Sequence, residues 1–426
     1  MGLRSKLLYV VLDGAADSIS DPYTTLEKAS KPGLDRLARE SVCGVMYVLG
    51  RGIAPESDEA VISLLGYDPH EIYTGRGPIE AVGIGLGLRE DYEIAFRANF
   101  ATIDPSTRRI IDRRAGRSIS RDEAVELAKT LDGLDLGIYD GYARVRASIG
   151  HRAVVIIGSR SRKLSPLVSN SDPAYERRGL ISIATPSYEP YLKHVKALED
   201  SEEARIAAEL TNRFIELSIE KLDKHPINKI RRERGAPPAN VILLRDAGGR
   251  IPKPEPLEKR YEARFAVLAE MPVEVGLGRI FGAKTLELEY IEDPRRNYED
   301  KLEKTLKMLK DNDIVYIHLK GPDEPGHDGD FELKKKRIED IDRYFITPVL
   351  EEVLEKISMI VTADHATPPS RRSHTDDPVP VLFYTPGIEP DRITIFSERN
   401  CMRGSLGVYE HGWNMLPSII QKHLKI

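Results

Sequence analysis

Three continuous apolar runs, each followed closely by an acid, constrain this chain most: KLLYVVLD (6–13), DIVYIHLK (313–320) leading into GPDEPGH, and ISMIVTAD (357–364). Apolar runs without polar alternation suit strands covered on both faces, as in a parallel sheet. Ligands of open α/β sheets gather beyond the carboxyl ends of such strands. Asp13, Asp323 and Asp364 stand there. His327 follows Asp323 in KGPDEPGHDG, His365 adjoins Asp364 in VTADHATPP, and His374 lies in SHTDDPVP. Carboxylate and imidazole are donors suited to Zn, Mn or Co, so the set reads as a two-metal centre of the kind that works on phosphate. One strand-ending Asp alone would be only a helix cap, and DEPGHDGD alone a solvated turn. Their coincidence outweighs both plain readings.

A length of 426 residues exceeds one ordinary core and predicts two domains. No apolar run approaches a membrane span, and MGLRSKLLYVVLDG lacks the small-residue cleavage site of a signal peptide, so a cytoplasmic protein without membrane attachment is expected. Cys43 and Cys401 cannot build a disulfide framework, which leaves oxygen and nitrogen to hold metal. The net charge of -5 argues against a nucleic-acid partner. The local exception is RRIIDRRAGRSISR (108–121), with six arginines against one Asp; such a run suits a small anionic substrate, because guanidinium binds phosphate and carboxylate in a bidentate manner.

Along the chain, a helix is expected near 31–41 and another after Pro55-Glu56-Ser57-Asp58, which puts Ser57 at a positive helix N-terminus. As an isolated serine it would be an N-cap and no more, but a metal pair on phosphate needs a nucleophilic hydroxyl. From about 80 to 235 the pattern changes to alternating strands and one long amphipathic helix. A smaller α+β domain, 80–235, is therefore expected inside a discontinuous doubly wound domain, 1–79 and 236–426, with GRGPIEAVGIGLG and ERGAPPAN as hinges. After Asn240 strands and helices alternate, including a long helix near 331–356. Among the remaining histidines, His318 and most others read as core or surface residues, while His151 and His411 stay open.

The segments VVLDGAAD, TLEKASKPGLDRLA, APESDEAVISLLGYDPHEIYTGRGPIEAVGIG, FRANFATID, IDRRAGR, ANVILLRDAG, HLKGPDEPGHDG, TADHATP and SHTDDPVP together span nearly the whole chain. In them the chain resembles the alkaline phosphatase superfamily and, more closely, the archaeal-type cofactor-independent phosphoglycerate mutases. The resemblance implies an alkaline phosphatase-like core and an isomerase of glycolysis and gluconeogenesis that interconverts 3- and 2-phosphoglycerate without 2,3-bisphosphoglycerate. It implies one divalent ion on Asp13, Ser57, Asp364 and His365 and another on Asp323, His327 and His374. The ions would be Mn, Co or Zn, with Mg admissible, and Ser57 would carry the phosphoryl group. By the same resemblance Arg113, Arg114, Arg117 and Arg245, then Arg97, His151 and Lys320, would contact substrate. The acidic neighbours in ESDEAVIS and Asp246 in LLRDAGG depart from the family pattern. The alternatives are a metal-dependent phosphomonoesterase of the same superfamily and a metal-binding scaffold without catalysis. The oligomeric state, from monomer to tetramer, is left open.

Overall fold

The computed structural model describes residues 5–185 and 187–425. The chain divides into two compact units, one of residues 1–72, 253–270 and 277–426, the other of 73–252 and 271–276. The sequence places these divisions at 79/80 and 235/236. They shift because the apolar run after Asn240, the strand Val241–Gly248, pairs antiparallel with Glu93–Ile103 of the second unit. The Gly-rich segment 75–87 lies within the second unit and contains the helix Arg76–Gly83, whose Gly77 lies so near Ala95 that a Cβ would meet the carbonyl at 2.1 Å.

In the first unit, Leu7–Leu12 is a wholly buried inner strand of an eight-stranded sheet. It pairs in parallel with Ile314–Leu319 and Ser358–Ala363, in registers that set Leu12 beside both Leu319 and Ala363. The next residues, Asp13, Lys320 and Asp364, therefore leave the sheet side by side. Phe265–Ala269 and Lys284–Glu287 extend the sheet in parallel on one side. On the other side Val379–Tyr384 is antiparallel to both its neighbours, and Gly407–Tyr409 closes the edge parallel to Val42–Met46. The result is the mostly parallel α/β sheet that unalternating apolar runs require.

The expected long helix is divided into Phe331–Ile341, a π-helical turn Asp342–Ile346, and Thr347–Val353. Pro348 has no N–H to continue the α ladder, and the chain widens by one residue in the turn before it. Asp342, buried in that turn, accepts the amides of Gly33 (3.0 Å) and Leu34 (2.7 Å). It thus caps the helix Pro32–Arg39, whose own N-cap residue, Lys31, makes no capping bond.

A buried ionic cluster packs beneath the loop that follows the first strand. Lys334 Nζ, from the helix Phe331–Ile341, donates to Asp17 Oδ1 (2.6 Å), Ala16 O (3.0 Å) and Thr367 O (2.9 Å). Asp17 Oδ2 accepts both the amide and the hydroxyl of Thr25. Glu398 accepts from Asp17 N (2.8 Å) and Thr24 Oγ1 (2.7 Å).

The second unit is built on an antiparallel six-stranded sheet. Its main path runs Val241–Gly248, Glu93–Ile103, Arg152–Ser159, Gly141–Ala147, Leu134–Asp135, and Ile110–Asp112 joins Glu93–Ile103. The 22-residue helix Glu202–Asp223, capped by Ser201, adds Leu210 and Phe214 to the core cluster that also holds Phe96 and Phe100. Among the described residues no helix is long and apolar enough to cross a membrane.

Burial, then the charge of Asp17, pushes the Glu398 carboxyl up to about 7 from an ordinary 4.5. A carboxyl raised by folding stabilises fully below its unfolded pKa, and that contribution is lost as pH rises through the folded value. The window is about pH 4.5 to 7, and the loss is on the order of 3 kcal/mol. Glu398→Gln should therefore match the wild-type melting temperature near pH 5 and exceed it by several degrees at pH 8. A constant offset across that range would contradict this account.

Candidate functional site

The parallel register delivers the first carboxylates. Asp364 Oδ1 accepts the amides of Gly14 (2.9 Å) and His365 (3.1 Å), which ties the two strand ends together. Its Oδ2 faces His318 Nε2 at 3.2 Å and His365 Nε2 at 3.3 Å. Asp13 Oδ1 lies 3.1 Å from Lys320 Nζ and 3.4 Å from His318 Nε2. Burial alone would raise Asp364, but the adjoining His365 and His318 imidazoles, with Lys320, hold it well below the usual carboxylate range. Burial and Lys320 oppose a charge on His318, yet the Asp364 and Asp13 carboxylates push it up to about 9.

His318, which the sequence reading grouped with histidines of core or surface character, is a core residue that also lines this cluster. It is fully buried on the strand Ile314–Leu319, with Tyr316 Oη 3.2 Å from its Nδ1. The available signal was physical: a titratable ring in a strand with no polar alternation requires a buried partner.

Asp323 begins the short helix Asp323–Asp328. Its Oδ1 accepts the Thr367 hydroxyl (2.8 Å) and lies 3.5 Å from both His327 Nε2 and His374 Nε2. His327 Nδ1 meets Arg372 O (3.2 Å) and His374 Nδ1 meets Pro55 O (2.8 Å). A carbonyl only accepts, so both Nδ1 atoms carry protons, and each neutral ring turns an Nε2 lone pair inward. Those two nitrogens are 3.1 Å apart. Two lone pairs and a carboxylate converging on one point suit a divalent cation. Burial pulls His374 down, but its hydrogen bond to Asp323, with the Glu56 charge, pushes it up to about 9. His365 Nε2 is likewise buried and makes no hydrogen bond. The donors fit two metals. By distance alone they fall into Asp13, His318, Asp364 and Asp323, His365, His374.

Ser57 is the first residue of the helix Ser57–Leu64, and Glu56, in the N-cap position, makes no side-chain cap. The hydroxyl is thus not the N-cap that an isolated serine there would be. The His374 bond to Pro55 O ties the chain just before this helix to the metal donors. The acidic neighbours crowd one another: burial, then Asp58 and Glu56, pushes Glu59 up to about 8.

The second unit gathers a separate set of guanidinium groups. Arg245 and Arg97 are cross-strand partners in register. Glu80 Oε1 lies 2.8 Å from Arg76 Nε and 3.3 Å from Arg97 Nε. Asp172 accepts Arg113 through Nε (2.9 Å) and Nη2 (2.6 Å), and Arg245 Nη1 at 3.4 Å. The Tyr175 ring lies 4.1 Å from the Arg245 guanidinium and 5.2 Å from that of Arg113. Positive charge is in excess: burial, then Arg152, Arg117, Arg245 and Arg97, drives His151 down to about 4. Arg97 Nε and Arg245 Nε are buried with only long contacts to Glu80 and Asp246, and Arg177 Nη1 is a buried donor without a hydrogen bond, so the cluster suits an anionic ligand. Arg114 stands apart, lining an open cleft with Arg113, Tyr188 and Pro190. Asp246, the unexpected acid, adopts a left-handed φ of 57°, which Asp tolerates better than most residues, and faces Arg245 Nε at 3.5 Å. Asp172, Tyr175, Glu80, Arg76 and Arg152 were not found by sequence reasoning: Arg76 and Glu80 pair within one helix, but Glu80 reaches Arg97, and Asp172 reaches Arg113 and Arg245, only across elements far apart in the chain.

Fold and site define an α/β protein whose central strands end on an oxygen and nitrogen donor cluster suited to two divalent cations. The sequence family described as 2,3-bisphosphoglycerate-independent phosphoglycerate mutase matches residues 38–228. A relative of that description from Aeropyrum pernix is 47% identical, over 97% of this chain and 99% of its own. Another, from Methanocaldococcus jannaschii, is 38% identical over 95% and 94%. Among solved structures, a Pyrococcus horikoshii protein matches with a TM-score of 0.77 at 29% identity, covering 98% of this chain and 97% of that one. The cofactor-independent phosphoglycerate mutase of Thermoplasma acidophilum matches with a TM-score of 0.63 at 30% identity, covering 98% and 99%. The chain belongs to the family of 2,3-bisphosphoglycerate-independent phosphoglycerate mutases, which are isomerases.

Gly14 tests the crowding of the centre. Its φ is 59°, and an added Cβ would meet Asp323 Oδ1 at 2.7 Å and Thr367 Oγ1 at 2.8 Å. Gly133, with φ 77° and nothing within 4 Å, shares the backbone strain without the clash. Gly14→Ala should weaken Mn2+ binding to the metal-free protein roughly 10-fold or more. Gly133→Ala should leave it unchanged at a similar loss of stability, about 1 kcal/mol or more. Equal metal affinities in the two variants would refute the clash.

Proposed function

We propose that the chain interconverts 3-phosphoglycerate and 2-phosphoglycerate without 2,3-bisphosphoglycerate, by moving the phosphoryl group through Ser57. The observation that carries this reading is the convergence of carboxylates and imidazole nitrogens beyond three strand ends, in a chain of this family. One divalent ion is assigned to Asp13, Ser57, Asp364 and His365, the other to Asp323, His327 and His374, with Mn, Co, Zn or Mg as the metal. Bound there, the ions would lower the pKa of a hydroxyl and neutralise phosphoryl oxygens.

The residues themselves then have defined tasks. Ser57 Oγ gives up its proton and attacks phosphorus, the bond from phosphorus to the glycerate 3-oxygen breaks, and that oxygen takes up a proton in place of the one Ser57 released. The 2-hydroxyl of the retained glycerate next attacks the phosphoserine, loses its proton, and frees Ser57. The free N–H groups at the N-terminus of the Ser57 helix favour the dianionic phosphoserine. Lys320, beside Asp13, adds positive charge. Arg97, Arg113, Arg114, Arg117, Arg245 and His151 are assigned to the carboxylate and phosphoryl oxygens of the substrate. His151, held neutral at pH 7 by burial and the surrounding arginines, is a hydrogen-bond partner and not a charge. The same reading places the enzyme in the cytoplasm, acting on small phosphorylated metabolites of glycolysis and gluconeogenesis.

An enolase-coupled assay with 3-phosphoglycerate and no bisphosphoglycerate tests the proposal. Activity should vanish with EDTA and return with Mn2+, Co2+ or Zn2+. Ser57→Ala should lower kcat on the order of 10⁴-fold or more, as loss of a nucleophile does, and should abolish phosphoryl labelling of the protein. Activity that survives metal removal would refute the two-metal mechanism. Phosphate released faster than 2-phosphoglycerate forms would make the enzyme a hydrolase.

A further inference from the structure

We propose that Thr367 is the positioning residue that fixes the tautomer of His365 and thereby decides which metal His365 serves. This rests on the two-metal reading above and goes beyond its ligand assignment. Thr367 is fully buried two residues after His365. Its hydroxyl oxygen lies 2.8 Å from Asp323 Oδ1 and 2.9 Å from His365 Nδ1. A hydroxyl has one proton to give, and a carboxylate can only accept. The Thr367 proton therefore goes to Asp323, and the hydroxyl oxygen must accept from His365 Nδ1–H. Had the proton gone to His365 instead, the Thr367 and Asp323 oxygens would face each other at 2.8 Å with no proton between them.

The neutral His365 ring then carries its lone pair on Nε2. That atom is buried and makes no hydrogen bond. It faces Asp364 Oδ2 at 3.3 Å and Asp13 Oδ1 at 3.9 Å. The opposite nitrogen is the one 3.9 Å from Asp323. Distance alone groups His365 with Asp323 and His374. The hydrogen-bond polarity rules that grouping out, because Nδ1 is already protonated and committed to Thr367. His365 serves the Asp13–Asp364 metal, while the same hydroxyl orients Asp323 for the other. One side chain sets ligands at both sites.

The backbone around Thr367 gives the hydroxyl little freedom. Thr367 N donates to Ala16 O at 2.9 Å, and Thr367 O accepts Lys334 Nζ at 2.9 Å. A Cβ on Gly326 would meet Thr367 O at 2.3 Å, so the Asp323 helix packs directly on this residue.

Two measurements test the inference. In metal-free wild-type protein labelled with ¹⁵N-histidine, long-range ¹H–¹⁵N correlations, assigned by the signal lost in His365→Gln, should show His365 protonated at Nδ1; protonation at Nε2 would overturn the proposal. In Mn2+ titrations by calorimetry, Thr367→Val should weaken both sites roughly 10- to 100-fold, the range for outer-shell hydrogen bonds. Thr367→Ser should stay within about 3-fold of wild type, since it keeps the hydroxyl. Wild-type affinity in Thr367→Val, or an equal fall in Thr367→Ser, would also overturn it. If Thr367→Val does not fold, the tautomer and the Ser variant still decide. A wild-type protein that takes up no Mn2+ would refute the two-metal reading instead, and the tautomer would remain a separate result.

Discussion

Leu12 can lie beside both Leu319 and Ala363 because three parallel strands share one register, and the donor cluster depends on that alignment. Parallel pairing sends three chains out of the same sheet edge at the same height. Asp13, Lys320 and Asp364 are then neighbours before any loop has been folded. The Asp364 carboxylate accepts the Gly14 amide across this edge, so a candidate metal donor also braces the strand ends. Slipping one strand by a single residue would turn its side chains to the opposite face and disperse the cluster.

A cluster with this much buried charge is not stable by Coulomb attraction alone. Desolvating each carboxylate costs several kcal/mol unless donors surround it. Beside the loops that carry the candidate ligands, the chain fixes the backbone through a second buried polar cluster. Lys334 binds two backbone carbonyls and Asp17, Asp17 holds Thr25, and Glu398 holds Asp17 and Thr24. These contacts join the loop after the first strand to the loop after Asp364. Rigidity at the ligands follows from satisfied polar groups one layer out, which is where metal sites are commonly tuned.

This layering explains what the sequence could and could not show. Asp323 with His327, and Asp364 with His365, fall within a few residues of one another, so their spacing is visible in a linear text. The strands are equally visible, since buried parallel strands leave continuous apolar runs. His318 was hidden because its partners, Asp13 and Asp364, lie about three hundred residues away and in a later loop, while its neighbours in the strand are apolar. The division between the units was displaced for a similar reason. An apolar run such as Val241–Gly248 is compatible with either sheet, and only its antiparallel pairing with Glu93–Ile103 assigns it to the second unit. Asp172 and Tyr175 sit in a stretch rich in Ser, Asn and Asp that reads as loop, and their role arises only from the arginines that fold onto them.

The two units solve opposite electrostatic problems by the same means. In the first, carboxylates and lone pairs converge, and the balance needed is positive. In the second, Arg76, Arg97, Arg113, Arg152 and Arg245 outnumber the acids facing them, Glu80, Asp172, Asp246 and Glu274, and the balance needed is negative. The depression of His151 to about 4 registers that surplus, because burial and four neighbouring arginines make a further proton unfavourable there. Burial also lowers Arg97 to about 10, with Arg76 and Arg245 adding repulsion and Glu80 only partly compensating. Crowding like charges in a folded interior opposes folding, and it persists where the ligand supplies the missing countercharge. A phosphorylated carboxylate supplies two anionic groups on one small frame. Guanidinium forks held in place by Asp172 and Glu80 would meet such groups with little further loss of side-chain entropy, because their orientation is set in the protein alone.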